Sequence, residues 1–166
     1  MELFFELSEQ LGEIALKSED VIASAESCTA GGIACAITQT AGSSQWFDRG
    51  FVTYSNQSKE DLLCVRHETL QKFGAVSKET AEEMVCGALA RSQATIAVAV
   101  TGIAGPGGAV PGKPVGTVFM AWGRKGQLPG VERHQFAGDR NAVRESTIEA
   151  ALLGLKKLML NTIGSK

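Results

Sequence analysis

The stretch Ala94-Thr95-Ile96-Ala97-Val98-Ala99-Val100-Thr101 is followed at once by the glycine-rich segment Gly102-Ile103-Ala104-Gly105-Pro106-Gly107-Gly108. A continuous apolar run of this length predicts a strand that is buried on both faces of a sheet. Such strands are typical of α/β proteins, in which helices cover both faces. The glycines that follow permit a loop whose backbone N–H groups point inward toward an anion. Their spacing matches neither the P-loop nor the dinucleotide-binding fingerprint.

On either side of this stretch, short apolar runs alternate with helical patterns. Further strands are predicted at Val21–Ala25, Trp46–Tyr54, Val115–Trp122 and Val131–Phe136. Helices are predicted at 2–17, from Thr29 to about Thr40, from a cap at Asn56 to Leu63, after a cap at Ser77, and after a cap at Asp139. The pattern contains no repeat and no linker, so it predicts one three-layer α/β domain over residues 1–166.

The composition excludes several classes of protein. The net charge of −2 argues against a dedicated nucleic-acid binder, and no apolar run approaches the roughly 18 residues of a membrane span. The acidic N-terminal segment is unlike a secretory signal, so a cytoplasmic location is expected. The four cysteines form no C-x-x-C pair and only two histidines are present, so we expect reduced thiols and no metal or other cofactor.

The first polar cluster is the segment Ala25-Glu26-Ser27-Cys28-Thr29-Ala30-Gly31-Gly32. If Ser27 ends the first strand, the backbone N–H groups of Cys28 and Thr29 are available at the start of the next helix to bind an oxyanion or a phosphate. Ser27 is then a candidate nucleophile. Two alternatives remain open: Ser27 or Thr29 is only a helix N-cap, or Cys28 is the nucleophile.

A second cluster places Tyr54 at the end of a strand and Lys59 in the first turn of a helix. The helix dipole disfavours a cation there, and a partly buried lysine would have a lowered pKa suited to a general base. Tyr54 could share or relay the proton. The alternative is an exposed surface lysine beside a tyrosine that fills an edge.

A third feature is the pair Arg140 and Arg144, four residues apart at the start of the last helix. Like charges at this spacing and at a helix N-terminus are mildly unfavourable, and an anionic ligand would relieve both effects. Asp139 and Glu145 could neutralise the two arginines instead.

Five segments in this order carry a resemblance to a known family: AESCTAGG, FVTYSNQSKEDLL, GAVSKETAEEM, TGIAGPGG with KPVGTV, and FAGDRNAVR. Together they resemble the CinA C-terminal-domain family, the nicotinamide-nucleotide amidohydrolases, from about Val21 to Leu152. The resemblance implies a three-layer α/β/α sandwich around a mixed sheet, in a homo-oligomer that is most simply a dimer. One departure is Ala30, where the family usually has glycine.

The resemblance also implies hydrolysis of the carboxamide of nicotinamide mononucleotide to nicotinate mononucleotide and ammonia. It implies Ser27 as nucleophile, with Lys59 and Tyr54 as base and proton relay. The residues expected at the substrate are Glu26, Cys28, Thr29, Thr101, Gly102, Gly105, Arg140 and Arg144. Two other functions remain open: hydrolysis of a different small carboxamide, and a non-catalytic nucleotide- or partner-binding module linked to competence.

Overall fold

The computed structural model describes residues 2–165, which contain a five-stranded mixed sheet. The strands are β1 Ile22–Glu26, β2 Phe47–Val52, β3 Ile96–Gly102, β4 Thr117–Arg124 and β5 Gly130–Gln135. Their spatial order is β2-β1-β3-β4-β5. The first three strands run parallel to one another, and β4 and β5 are each antiparallel to the strand before them.

Helices cover both faces of the sheet. They are α1 Phe5–Ser18, α2 Gly32–Ile37, α3 Asn56–Leu63, α4 His67–Phe73, α5 Lys78–Ala90 and α6 Arg140–Ile163, with short 3-10 helices at Glu2–Phe4 and Ser43–Gln45. One hydrophobic core lies between the sheet and α1, α2 and α6, and a second lies between the sheet and α3, α4 and α5. The predicted three-layer α/β/α sandwich is therefore confirmed.

The central strand β3 is buried on both sides, as the apolar run predicts. Ile96, Val98 and Val100 pack toward α6, while Ala97 and Ala99 pack toward α5. The alternation of large and small side chains follows from the period of two in a strand. The alanines leave room for α5 to lie close to the sheet.

The structure corrects the predicted boundaries of two helices, α2 and α3. The helix after β1 begins at Gly32 rather than Thr29, because residues 28–31 form a turn in which Ala30 and Gly31 have φ values of 50° and 94°. It also ends at Ile37, before Thr40. The N-cap of α3 is Ser55 rather than Asn56, since Ser55 Oγ accepts a hydrogen bond from the N–H of Ser58.

Two predicted helix caps are present in the structure, and one helix, α4, lacks a cap that the sequence could have shown. The caps at Ser77 and Asp139 are confirmed, because their side chains accept hydrogen bonds from backbone N–H groups in the first turns of α5 and α6. The helix α4 was not predicted. Its N-cap residue, Arg66, makes no side-chain capping bond, so the usual start signal is absent.

Among the described helices, none combines the length and apolarity needed to cross a membrane.

The parallel part of the sheet determines where the polar clusters meet. The carboxyl ends of β1, β2 and β3 lie side by side, at Glu26, Val52 and Gly102. The turn 27–31, the segment 53–55 and the glycine-rich loop 103–108 leave the sheet at this edge. Open α/β sheets bind their ligands at such an edge.

Candidate active site

A cavity of about 310 Å³ lies where these three segments meet. Most of the residues predicted for the site line it: Ser27, Cys28, Tyr54, Lys59, Thr101, Gly102, Gly105 and Arg140. Glu26, Thr29 and Arg144 were also predicted to face the substrate, but they do not line the cavity. Their hydrogen bonds support the turn that carries Ser27.

Lys59 is the most unusual residue of the cavity. Its side chain projects from the first turn of α3 and is only 1% exposed. The Nζ atom lies 3.0 Å from Ser27 Oγ and donates to the backbone carbonyl of Thr53 at 2.7 Å. Burial lowers the pKa of Lys59 from 10.5 to about 8, because the charged form loses its hydration. The alternative of an exposed surface lysine is wrong.

The carbonyl of Thr53 was not predicted as part of the site. It holds the amine by a main-chain atom, and no sequence pattern identifies such a contact. A neutral amine has two N–H bonds and one lone pair. With one N–H committed to this carbonyl, its lone pair can accept the proton of Ser27.

Glu26 lies under the turn with its carboxylate fully buried. The carboxylate accepts hydrogen bonds from the hydroxyls of Ser24 and Thr29 and from the backbone N–H groups of Gly31, Ile33 and Ala34. It therefore satisfies N–H groups at the start of α2 that have no partner within the helix. Neither Ser27 nor Thr29 acts as the N-cap of α2, which is Gly31.

The turn presents two backbone donors beside the Ser27 hydroxyl. The N–H of Ala30 donates to the carbonyl of Ser27 at 3.1 Å, which closes the turn. No backbone carbonyl of residues 2–165 accepts a hydrogen bond from the N–H groups of Cys28 or Thr29. They are thus available to an oxyanion. The Cys28 thiol is a poor nucleophile, because burial raises its pKa to about 11.

Arg144 supports the same turn from α6. Its Nη2 atom donates to the carbonyl of Thr29 at 3.0 Å, and the N–H of Gly32 donates to the same oxygen. The contact joins residues that are 115 positions apart, so no local pattern could predict it. Arg144 is placed to hold the turn rather than to contact a ligand in the cavity.

Arg140 bridges two walls of the cavity. Its Nη1 atom donates to the carbonyl of Gly105 at 2.7 Å, and its Nη2 atom donates to the Tyr54 hydroxyl at 2.8 Å. Because this hydroxyl accepts from Arg140, its own proton is free to point elsewhere. Within the described part of the chain, Tyr54 and Lys59 share no hydrogen bond, so the predicted relay between them would need the substrate or a water molecule.

The glycine-rich loop forms another part of the cavity wall. Thr101, at the end of β3, uses its hydroxyl to donate to the carbonyl of Ala75 at 2.7 Å, so it links this wall to the segment before α5. Gly105 has a φ of 88°, a conformation that favours glycine. No described residue accepts a hydrogen bond from the N–H groups of Gly105, Gly107 or Gly108. These groups are free to bind an anion.

The same cavity offers few ligands for a metal ion. Among residues 2–165, no group of three or more histidine, cysteine, aspartate or glutamate side chains could hold a metal. The chemistry that the cavity does offer is a hydroxyl, an amine of lowered pKa and a set of backbone donors.

Replacing Glu26 with glutamine should destabilise the turn. The amide nitrogen would face backbone N–H groups that are now bonded to an oxygen, and these groups cannot turn away. We expect the free energy of unfolding to fall by roughly 2–4 kcal/mol in chemical denaturation. Glu13→Gln, at an exposed position of α1, is the matched control. Equal denaturation midpoints for the two variants would show that the buried carboxylate is not needed.

The chain is similar to known proteins over nearly its whole length. The family model for the CinA C-terminal domain matches residues 5–159. The "Nicotinamide-nucleotide amidohydrolase PncC" of Pseudomonas putida is 53% identical, with 92% of this chain and 94% of that protein covered. The protein of the same name from Escherichia coli K12 is 46% identical over 95% and 96% of the two chains. A crystal structure of a CinA superfamily protein from Klebsiella pneumoniae has a TM-score of 0.90 at 35% identity, covering 94% of this chain and 97% of that one. The chain therefore belongs to the CinA C-terminal domain family.

Proposed function

We propose that this protein hydrolyses the carboxamide of nicotinamide mononucleotide, giving nicotinate mononucleotide and ammonia. The observation that carries the proposal is the buried amine of Lys59, 3.0 Å from the hydroxyl of Ser27 and with a pKa of about 8. Amide hydrolysis needs a nucleophile, a base and donors for an oxyanion, and a Ser-Lys pair is a known variant of the Ser-His-Asp arrangement. The names of the relatives from P. putida and E. coli supply the substrate class.

The first half of the reaction acylates Ser27. Neutral Lys59 takes the proton from Ser27 Oγ as this oxygen attacks the carboxamide carbon. The oxyanion that forms accepts hydrogen bonds from the N–H groups of Cys28 and Thr29, which donate to no backbone carbonyl of the described residues. The Lys59 ammonium then gives its proton to the amide nitrogen as the C–N bond breaks. Ammonia leaves, and an ester remains on Ser27.

The second half of the reaction releases the acid. Lys59, neutral again, takes a proton from a water molecule as the water oxygen attacks the ester carbon. The oxyanion is held by the same two backbone donors. The proton then passes from Lys59 to Ser27 Oγ as the ester bond breaks. Nicotinate mononucleotide leaves, and Ser27 and Lys59 return to their starting states.

The remaining residues of the cavity suit the rest of the nucleotide. Arg140 and the free N–H groups of the loop at Gly105, Gly107 and Gly108 line the same cavity, and both can bind a phosphate. We place the phosphate there.

Ammonia release tests the proposal directly. We expect the purified protein to convert nicotinamide mononucleotide into ammonia and nicotinate mononucleotide in equal amounts. Nicotinamide and unrelated small carboxamides, assayed in parallel, distinguish a nucleotide amidase from a general amidase. If no carboxamide in the panel releases ammonia, the protein is a binding module and the proposal is wrong.

Removing the phosphate from the substrate and removing the Arg140 side chain that is proposed to bind it should both lower kcat/KM. Charge-assisted hydrogen bonds to a phosphate contribute roughly 1.5–3 kcal/mol each, so Arg140→Ala should lower kcat/KM for the nucleotide about ten- to a hundredfold. Nicotinamide riboside lacks the phosphate, and its kcat/KM should change less. The ratio of the two kcat/KM values, nucleotide over riboside, should therefore fall in Arg140→Ala.

Arg144→Ala is the matched control for this measurement. Arg144 lies one turn further along α6 and bonds the carbonyl of Thr29. Its loss should lower the rate for both substrates and leave their ratio near that of the wild type. If the ratio of kcat/KM for the nucleotide to kcat/KM for the riboside is unchanged in Arg140→Ala, Arg140 does not bind the phosphate. The glycine-rich loop would then be the candidate phosphate site.

A further inference from the structure

Among the described residues, those that line the cavity include two cations, Lys59 and Arg140, and no carboxylate to balance them. Its titratable side chains, among the described residues, are Cys28, Tyr54, Lys59 and Arg140. Neither aspartate, glutamate nor histidine lines it. The buried carboxylate of Glu26, which precedes Ser27 in the chain, is directed at the N–H groups of α2 and its turn.

Other charged groups around Lys59 are engaged elsewhere. On α3 itself, Glu60 pairs with His67 and Asp61 accepts a hydrogen bond from Gln57. On α5, which packs against α3, Glu83 is bonded to Arg66 and Thr69. The other titratable groups of α5 are Lys78, Glu79, Glu82 and the Cys86 thiol, and they lie outside the lining of the cavity. From α6, Arg140 lines the cavity and Arg144 bonds the turn. Lys59 itself contacts two neutral oxygens, of Ser27 and of Thr53.

The substrate proposed above brings a further positive charge into this cavity. Its pyridinium nitrogen is three bonds from the carboxamide carbon. That carbon must approach Ser27 Oγ, which lies 3.0 Å from Lys59 Nζ. The ring cation and the ammonium of the buried Lys59 would therefore be close neighbours. Like charges at such a distance disfavour each other, and low dielectric strengthens the effect.

We propose that the cationic ring of the bound substrate drives the proton off Lys59, so that the charge of the substrate itself produces the neutral base that deprotonates Ser27. The proton leaves to bulk water as the substrate enters. This inference rests on the proposed function and extends it, because it explains which carboxamides the site accepts. Carboxamides on N-substituted, cationic pyridine rings activate Lys59, whereas neutral aromatic carboxamides of the same shape leave it mostly protonated at neutral pH.

The test follows the titration of Lys59 in a protein that binds substrate but does not consume it. Ser27→Ala is labelled with ¹³C at the lysine Cε positions, and the Lys59 signal is assigned by its absence from the Ser27→Ala/Lys59→Met double variant. NMR spectra across a range of pH give the pKa of Lys59 in two complexes. One contains nicotinamide mononucleotide, and the other contains the isosteric nucleotide in which carbon replaces the ring nitrogen.

The two ligands carry the same phosphate and exclude water to the same extent, so they differ only in the charge of the ring. We expect the pKa of Lys59 to be lower with the cationic ring than with the neutral ring, by about one unit or more. Equal pKa values in the two complexes would overturn the inference. Failure of the wild-type protein to release ammonia from nicotinamide mononucleotide would instead overturn the proposed function, so the two failures are distinguishable.

Discussion

Ser27→Ala should lower kcat for nicotinamide mononucleotide by roughly 10³- to 10⁶-fold, because the ester intermediate can no longer form. The backbone donors at Cys28 and Thr29 remain, so binding of the nucleotide should change little. The expected signature is a large fall in kcat with a dissociation constant near that of the wild type. Stopped ammonia assays and calorimetric titration measure the two quantities.

Cys28→Ala is the matched control at the neighbouring position. The Cys28 thiol is buried and its pKa is raised to about 11, so little thiolate is present at neutral pH. Its loss should reduce kcat by less than about tenfold, or roughly 1.4 kcal/mol in activation free energy. If Cys28→Ala were inactive and Ser27→Ala active, the assignment of the nucleophile would be reversed.

Lys59→Met should lower kcat by roughly 10²- to 10⁴-fold, since no other base contacts the Ser27 hydroxyl among residues 2–165. Methionine has a similar length and fills the same space without an amine. The free energy of unfolding should stay the same or rise, because the cost of burying the amine is removed. Lys78→Met, at an exposed position of α5, should leave kcat unchanged. A variant that unfolds more easily and loses activity in proportion would indicate a structural role for Lys59.

The pH profile of the wild type tests the same role without a mutation. Burial lowers the pKa of Lys59 to about 8, so the neutral amine is the minor form below that pH and the major form above it. The pH dependence of kcat/KM reports the pKa values of groups in the free enzyme. It should rise about tenfold per pH unit below the pKa and level off above it. Lys59→Arg cannot supply a neutral amine, and a similar rise with pH in that variant would assign the titration to another group.

The sequence predicted the features that depend on neighbouring residues. The buried strand β3 follows from its apolar run, and the caps at Ser77 and Asp139 follow from side chains that bond the next turn. The position of Lys59 in the first turn of α3 predicted a lowered pKa, and the burial of that side chain explains the effect. In each case, the residues that carry the pattern lie within a few positions of the strand, helix start or side chain that they predict.

Features that depend on distant contacts could not be read from the sequence. The bond from Arg144 to Thr29 and the bond from Arg140 to Tyr54 exist only after α6 packs beside the sheet. The sequence grouped Arg140 with Arg144 because they share a helix face, yet only Arg140 reaches the cavity. Glu26 was expected at the substrate, whereas its carboxylate is fully used by the turn and by α2.

Attack by Ser27 to form an ester is the central claim, and partitioning with hydroxylamine tests it most directly. Hydroxylamine competes with water for an ester on Ser27, so turnover in its presence should yield the hydroxamate of the nucleotide at the expense of nicotinate mononucleotide. Ser27→Ala should yield no hydroxamate above the rate without protein. Turnover that gives only nicotinate mononucleotide at every hydroxylamine concentration would contradict the claim, because water would then attack the carboxamide without an ester intermediate.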